Sequence, residues 1–399
     1  MENIDFKNVF IPPLGVISTS QFSEMYPVVN DYILNEMKFE DSRDGKVKEM
    51  LDIKTMLSNP YRRCVGGYRR NINVFFLLAE AMWIVLGRKD VETLVNFNNN
   101  MKNFSDDGET FHAPYGFRLR HWGIRTEDKF EEGVNTAQGS DQVLNAIKLL
   151  TENPNTRQVV MSIWNPNFDL GFKTKDIPCN DMVMLKIRNG KLITTVQNRS
   201  NDLHWGLPTN IFQFSFLTEV MAACLGIELG TQTHNSQSLH IYEWNDVANV
   251  MDEEYKKIGN GFDLYHWAHE KHMDFNFNHE VPANRFREIE YNLSVIIENL
   301  NKVAKGESEN NDEIQSLAMF SNYLYNSYLL LKIYLGYKHD IKSAKTDEEK
   351  DVARLKAISD IELIEIENKL QGWDISVLAK NFFAARLHNK VEHEYIGKL

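Results

Sequence analysis

The middle of the chain, from Val159 to Tyr242, is patterned as strands around one long apolar helix. Val159-Val160-Met161-Ser162-Ile163-Trp164 is an apolar run that reads as a strand and stops at Asn165-Pro166. A polar loop then delivers Ile177-Pro178-Cys179 to a second β-favouring run, Met182–Ile187. Asn189-Gly190 is a strong two-residue hairpin signal, and Lys191–Gln197 is the returning strand. Ile211–Leu225 is long and apolar enough for a buried helix. Ser238–Tyr242 alternates like a strand, with Ser238, His240 and Tyr242 on one face.

On the N-terminal side, Asp31–Met37 reads as a short helix, and Glu40–Lys46 as a polar loop leading into an edge strand. Val74–Leu86 is a strongly apolar helix stopped by Gly87, with Glu80 as its one carboxylate. Asp141–Leu150 has helical spacing. After Glu243 the period changes: Arg285–Val303, Ile314–Leu335 and Glu348–Leu370 are all helical, and Lys305–Asp312 is an exposed linker by composition. The last hundred or so residues therefore read as a helical appendage, and no internal repeat is visible.

Composition narrows the classes. A chain of 399 residues has room for one large domain and a smaller one. The net charge of −12 argues against a nucleic-acid-binding surface but leaves room for a small anion in a local Arg cluster. Cys64, Cys179 and Cys224 lack metal-ligand spacing, which points to a reduced, cytosolic protein with no metal. No apolar signal core or membrane-length stretch is present, so a soluble intracellular protein with no membrane partner is expected. The Arg pairs in Tyr61-Arg62-Arg63 and Tyr68-Arg69-Arg70 read as solvated surface.

Chemistry gathers around Cys179, which follows Pro178 in a polar loop and does not lie on an apolar stripe. Arg199-Ser200-Asn201-Asp202 and Gly206-Leu207-Pro208-Thr209-Asn210 bring a guanidinium, a carboxylate and a carboxamide to the ends of buried elements. A thiol in such company is a candidate nucleophile.

Residues from about 74 to 242 resemble the thymidylate synthase family, including the phage pyrimidine hydroxymethylases. The resemblance is carried, in order, by Ala79-Glu80-Ala81-Met82-Trp83, Pro114-Tyr115-Gly116, Asn153–Asn165, Pro178-Cys179, Arg199–Asp202, Gly206–Asn210 and His240-Ile241-Tyr242. It implies an α/β (α+β) fold, a mixed sheet with surrounding helices over residues 1–280, followed here by the helical region 281–399. It also implies a homodimer whose subunits share each phosphate site. Cys179 would add to C6 of the pyrimidine, with Arg199 favouring its thiolate. Glu80 would be the general acid/base near the base and the incoming carbon, and Tyr115 would help remove the C5 proton. Asn210 would contact the pyrimidine edge; Asn at this position implies dUMP, where the cytosine-specific relatives have Asp. Arg199 and Ser200 would hold the 5′-phosphate, with Arg157 from the partner subunit and with Arg43. His240 and Tyr242 would bind the deoxyribose 3′-hydroxyl. Asp202 would contact the pterin of methylenetetrahydrofolate, the one-carbon co-substrate.

Four departures from the synthase pattern fall on one step. Asn180 stands where synthases have His, and Arg157-Gln158 where they have Arg-Arg. Asn98–Phe104 contains neither Trp of the pterin pocket, and the chain ends in Glu394–Leu399 without the apolar tail that closes over folate. Hydride transfer needs a dry pocket, whereas hydration does not. The expected reaction is thus hydroxymethylation of dUMP, in the host cytoplasm if the enzyme is phage-encoded. The alternatives are a divergent thymidylate synthase whose lid is built by the appended helices, with Trp373 as a contributor, or an inactive relative that serves as a binding protein.

Overall fold

The computed structural model describes residues 15–42, 45–66, 70–125, 139–258, 264–266 and 268–387. In chain order the first half contains β1 (Val16–Thr19), α1 (Phe22–Glu36), β2 (Phe39–Ser42), β3 (Gly45–Leu57), α2 (Val74–Val85), α3 (Val91–Val95), α4 (Tyr115–Arg120) and α5 (Gln142–Glu152). The central part is β4 (Val159–Ser162), α6 (Pro166–Asp169), β5 (Asn180–Arg188), β6 (Lys191–Asn198), β7 (Asn201–Asp202), α7 (Gly206–Leu225) and β8 (Glu228–Tyr242). Helices follow: α8 (Val247–Ile258), α9 (Pro282–Lys305), α10 (Asn311–Phe320), α11 (Asn322–Ser343), α12 (Asp347–Glu367) and α13 (Asp374–Ala384).

The strands form one mixed sheet in the order β1-β3-β8-β6-β5-β4, with β2 added to β3 and β7 to β8. β5 and β6 are the predicted hairpin, and Asn189 and Gly190 both take positive φ (52° and 72°), as a two-residue turn of this hand requires. The period of two divides the sheet into an inner and an outer face. Across five strands the inner row Met161–Val183–Val196–His234–Thr55 is fully buried, and His234 lies against Phe214 of α7. The adjacent outer row is Val160–Met184–Thr195–Thr233–Met56, whose first member is 49% exposed.

Three expectations are corrected. β3 is not an edge strand: it lies between β1 and β8 and pairs with both, because its Val47, Ile53 and Leu57 must all be buried. The single helix expected over Ile314–Leu335 is two, broken at Ser321. That residue is extended (φ −152°, ψ 117°), and its Oγ accepts the Leu324 N–H to cap α11. The Arg pairs are not solvated surface. Arg63 is 2% exposed and bridges Glu219 of α7 at 2.7 Å, and Arg70 is 6% exposed. A buried guanidinium needs such partners, and the sequence alone does not display them. Arg69 lies outside the described residues.

The C-terminal helices complete the core instead of hanging from it. Apolar packing is continuous from Ile17 to Ala384. Phe75 of α2 stacks on Tyr334 of α11 (centroids 4.6 Å apart) and meets Phe382 and Phe383 of α13 at 5.5 and 5.4 Å. Tyr265 bridges the Cys64 N–H and Asp374 at the start of α13. The helix carrying Glu80 is thus wedged between the sheet domain and the appendage. Phe75→Ala should cost about 3–5 kcal/mol by opening a cavity where these groups meet. Denaturant unfolding should show a single lowered midpoint; a loss below 1 kcal/mol would mean that the appendage does not support α2.

Candidate active site

Cys179 sits at the last loop position before β5, and Arg199 directly follows β6, so the hairpin brings the two together. The Arg199 N–H donates to the Cys179 carbonyl at 3.0 Å. Its Nε donates to the Pro178 carbonyl at 2.9 Å and its Nη2 to the Ile177 carbonyl at 3.2 Å, with Nη2 3.8 Å from Cys179 Sγ. The guanidinium lies over the Trp164 ring at 5.7 Å. One side chain therefore both shapes the loop and sets positive charge beside the sulfur, an arrangement that favours thiolate. Asp181, two residues on, also feels Arg199, but burial dominates and pushes its carboxyl up to about 6.

Tyr115 reaches the same loop from the start of α4, hydrogen-bonding the Cys179 backbone and the Asn180 side chain. Burial, with the neighbouring Cys179 and Asp176, holds its phenol well above the ordinary range, so it is a neutral hydroxyl. The next residue explains the closeness of α4 to α2: a Cβ at Gly116 would lie 2.2 Å from the Ile84 carbonyl oxygen. Only glycine permits that approach. From Asn180 a chain of carboxamides runs inward. Asn180 Nδ2 donates to Asn210 Oδ1 (3.1 Å), Asn210 Nδ2 to Asn201 Oδ1 (3.2 Å), and Asn201 Nδ2 to Ser236 Oγ (3.1 Å). Asn210 is thereby locked in one orientation near the start of α7.

Glu80 faces Gln213 of α7, its hydrogen-bond partner, while its Oε2 is shut off from solvent and unpartnered among the described residues. Burial is the main reason that its carboxyl is pushed up to about 8, and nearby Asp176 adds to the effect. Asp176 itself accepts the Ala113 N–H at 2.9 Å, tying the Cys179 loop to the turn that carries Tyr115.

A second group lies at β7 and β8. Asp202 pairs in register with His240, and its Oδ1 accepts the N–H groups of His204 and Trp205 at 2.6 Å each. Burial raises its carboxyl against those bonds, and Oδ2 has no partner among the described residues. His240 is lowered by burial, contacts Ser238 Oγ at 3.2 Å and meets Tyr242 edge-on at 5.0 Å. Ser200 is half-buried between Arg199 and β7. Arg157 stands exposed before β4, and no hydrogen bond or ion pair joins it to Cys179 or Arg199 of its own chain among the described residues. Arg43 lies outside the described residues.

The structure thus brings Cys179, Arg199, Tyr115 and Asn210 into one connected cluster and leaves Arg157 apart. It adds residues that the sequence reading did not single out. Gln213 was detectable as a polar position three residues after Asn210 in a mostly apolar helix, and Asp176 as a carboxylate three residues before Cys179. Arg70, expected on the solvated surface, also lies here: its Nε donates to Tyr26, whose hydroxyl is 2.6 Å from His204 Nδ1, and its guanidinium lies over the exposed Trp205 indole at 5.3 Å.

Residues 68–260 match the family model described as thymidylate synthase. The chain is 40% identical over 243 residues to the deoxyuridylate hydroxymethyltransferase of Bacillus phage SP01, covering 60% of this chain and 62% of that protein. It is 37% identical over 248 residues to the protein of the same name from Pseudomonas phage M6, covering 60% and 65%. Against thymidylate synthase 1/2 of Encephalitozoon cuniculi it is 34% identical over 175 residues, covering 42% and 58%. The chain therefore spans less than two thirds of the length of these curated relatives.

Proposed function

Because residues 68–260 of this chain are a thymidylate synthase family domain, we propose that the protein is a folate-dependent one-carbon transferase that hydroxymethylates dUMP at C5. The observation that carries the reading is the Cys179 cluster: a thiol 3.8 Å from a guanidinium, beside a buried phenol and an oriented carboxamide. That set suits a pyrimidine, whose C5 becomes nucleophilic only after a thiolate has added to C6. Water as the final reactant is supported by the relatives named as deoxyuridylate hydroxymethyltransferases.

In this proposal Cys179 forms the bond to C6, and its electron pair moves onto the C5–C4–O4 system. Asn210 accepts from N3–H and donates to O4, using the lone pair and the proton left over from its bonds to Asn180 and Asn201. Glu80, protonated at neutral pH by its surroundings, donates toward O4 and orders the entering water. Tyr115, neutral in its site, positions the acceptor for the C5 proton. When water has added, Cys179 leaves C6 as thiolate. Arg199 and Ser200 hold the phosphate together with Arg157 of the partner subunit and Arg43, and His240 and Tyr242 hold the 3′-hydroxyl. Methylenetetrahydrofolate would supply the carbon. C5 would bond its methylene as one folate C–N bond breaks, and loss of the C5 proton would expel tetrahydrofolate to leave an exocyclic methylene. Water would add to that methylene before Cys179 departs. Asp202 Oδ2, buried and unpartnered among the described residues, is the acceptor that would take an N–H of the pterin.

A homodimer packed through the outer sheet face is part of this reading. The row beginning at exposed Val160 needs cover, and Arg157 stands just before it at the start of β4. The catalytic residues lie within 1–280, with the helices beyond 281 as support. The synthase alternative that used Trp373 as a lid is weakened, since that indole is 1% exposed and packed against Tyr323.

The test is one reaction of the purified protein with dUMP and methylenetetrahydrofolate, read by product mass and by the absorbance of dihydrofolate. Hydroxymethyl-dUMP without dihydrofolate is expected. Thymidylate with stoichiometric dihydrofolate would overturn the hydration step.

A further inference from the structure

Asn180, Asn210, Asn201 and Ser236 form one hydrogen-bonded line, and none of the four is more than 5% exposed. A carboxamide has a direction: its oxygen only accepts and its nitrogen only donates. In a buried line of such groups, the orientation of one member dictates that of the next. Reversing Asn201 would therefore reverse Asn210, putting its NH2 where Oδ1 now stands.

The present direction suits uracil. With Asn180 and Asn201 served, Asn210 keeps one lone pair on Oδ1 and one N–H on Nδ2. A uracil edge offers N3–H and the O4 acceptor, and both are met. A cytosine edge offers a bare N3 and an N4 amino group, so lone pair would face lone pair and N–H would face N–H. The reversed carboxamide would accept cytosine and reject uracil. Asn210 has the right groups for either base, and its direction makes the choice.

That direction is anchored at Asn201. Its Nδ2 donates to Ser236 Oγ at 3.1 Å, while its Oδ1 lies against the start of α7, where a Cβ built on Gly206 would stand 2.9 Å from it. The first turn of a helix presents unsatisfied N–H groups and a positive partial charge, and no side chain hydrogen-bonds at the N-cap of α7. An amide oxygen is preferred there over an NH2. Asn180, on the other side of Asn210, has no such anchor. Its Oδ1 is buried without a partner among the described residues, and the Tyr115 hydroxyl beside it can donate or accept. Asn180 thus follows the line and Asn201 leads it.

We propose that Asn201, held between Ser236 and the start of α7, is a positioning residue that excludes cytosine by fixing the direction of Asn210. The inference rests on the reading of Asn210 as the residue that faces the pyrimidine edge.

Calorimetric titration of the full-length protein with dUMP and with dCMP reads this direction apart from the chemistry at Cys179. Wild type should bind dUMP more tightly. Asn201→Ala should cut that preference by at least about tenfold, roughly the worth of one hydrogen bond. Asn201→Asp keeps the shape and still presents an acceptor to Asn210, so its preference should stay within about threefold of wild type or rise. Asn180→Asp brings the same charge to the opposite side, where it demands the NH2 of Asn210, and should cut the preference by at least about tenfold. A charge or packing effect would move the two Asp variants alike. An equal fall in both would overturn the proposal, as would a wild-type preference in Asn201→Ala. If Asn201→Ala does not fold, the two Asp variants decide alone. Asn210→Asp separates this inference from the reading beneath it. A shift toward dCMP in that variant, with none in Asn201→Ala or Asn180→Asp, would overturn the role of Asn201 only. No shift in any of the three would overturn Asn210 as the base-facing residue as well.

Discussion

Replacing Cys179 with Ala should reduce turnover of dUMP by at least about 10⁴-fold, since nucleophile removal leaves only binding and electrostatics to act. The fold should be unaffected, because the side chain is only half-buried and the loop is held by Arg199 through backbone carbonyls. Affinity for dUMP should change little, as the phosphate, N3–H and O4 contacts do not use the sulfur. Thiol labelling gives an independent measure. Cys64 and Cys224 are buried, and burial raises both thiols, so one equivalent of iodoacetamide should modify Cys179 and dUMP should protect it. Residual turnover above about one hundredth of wild type in Cys179→Ala would remove covalent catalysis from the proposal.

Glu80→Gln should lower the rate by about 10²–10⁴-fold and at the same time stabilise the protein at high pH. The folded-state carboxyl is pushed up from its ordinary 4.5 to about 8, so the folded chain binds this proton more tightly than the unfolded chain. The stability linked to that proton is complete below about pH 4.5 and is lost as pH rises through about 8, with an upper bound on the order of 5 kcal/mol. Gln keeps the shape and the neutral state at every pH. Its variant should therefore match wild type near pH 5 and exceed it in melting temperature near pH 9. Wild-type kcat should fall as pH rises past about 8, where the acid is lost, and that limb should be absent from the variant's profile. A variant less stable than wild type at alkaline pH would show that Glu80 is an ionised, partnered carboxylate.

Glu80 also shows why a strong sequence position can be read without its neighbours. One carboxylate in an apolar helix had to be a problem or a tool. Gln213 and Asp176, which define its state, are separated from it by 133 and 96 residues. Likewise Asn180 was visible only as a departure from the synthase pattern. That it links Tyr115 to Asn210 required β5 and the start of α7 to lie side by side.

What the sequence determined by itself is local or periodic. The hairpin at Asn189-Gly190, the apolar helices, the Cys179 loop and the motif order follow from φ preference, burial pattern and residue type over a few positions. What only the tertiary structure decided is which long-range partners satisfy each buried polar group and which apolar faces stay open. Arg63 and Arg70 are buried because Glu219 and Tyr26 meet them from distant elements. Phe75 needs the last helices, so the appendage belongs to the core. Burial and polar satisfaction are properties of contacts between residues far apart in the chain, and no window of sequence contains both members of such a contact.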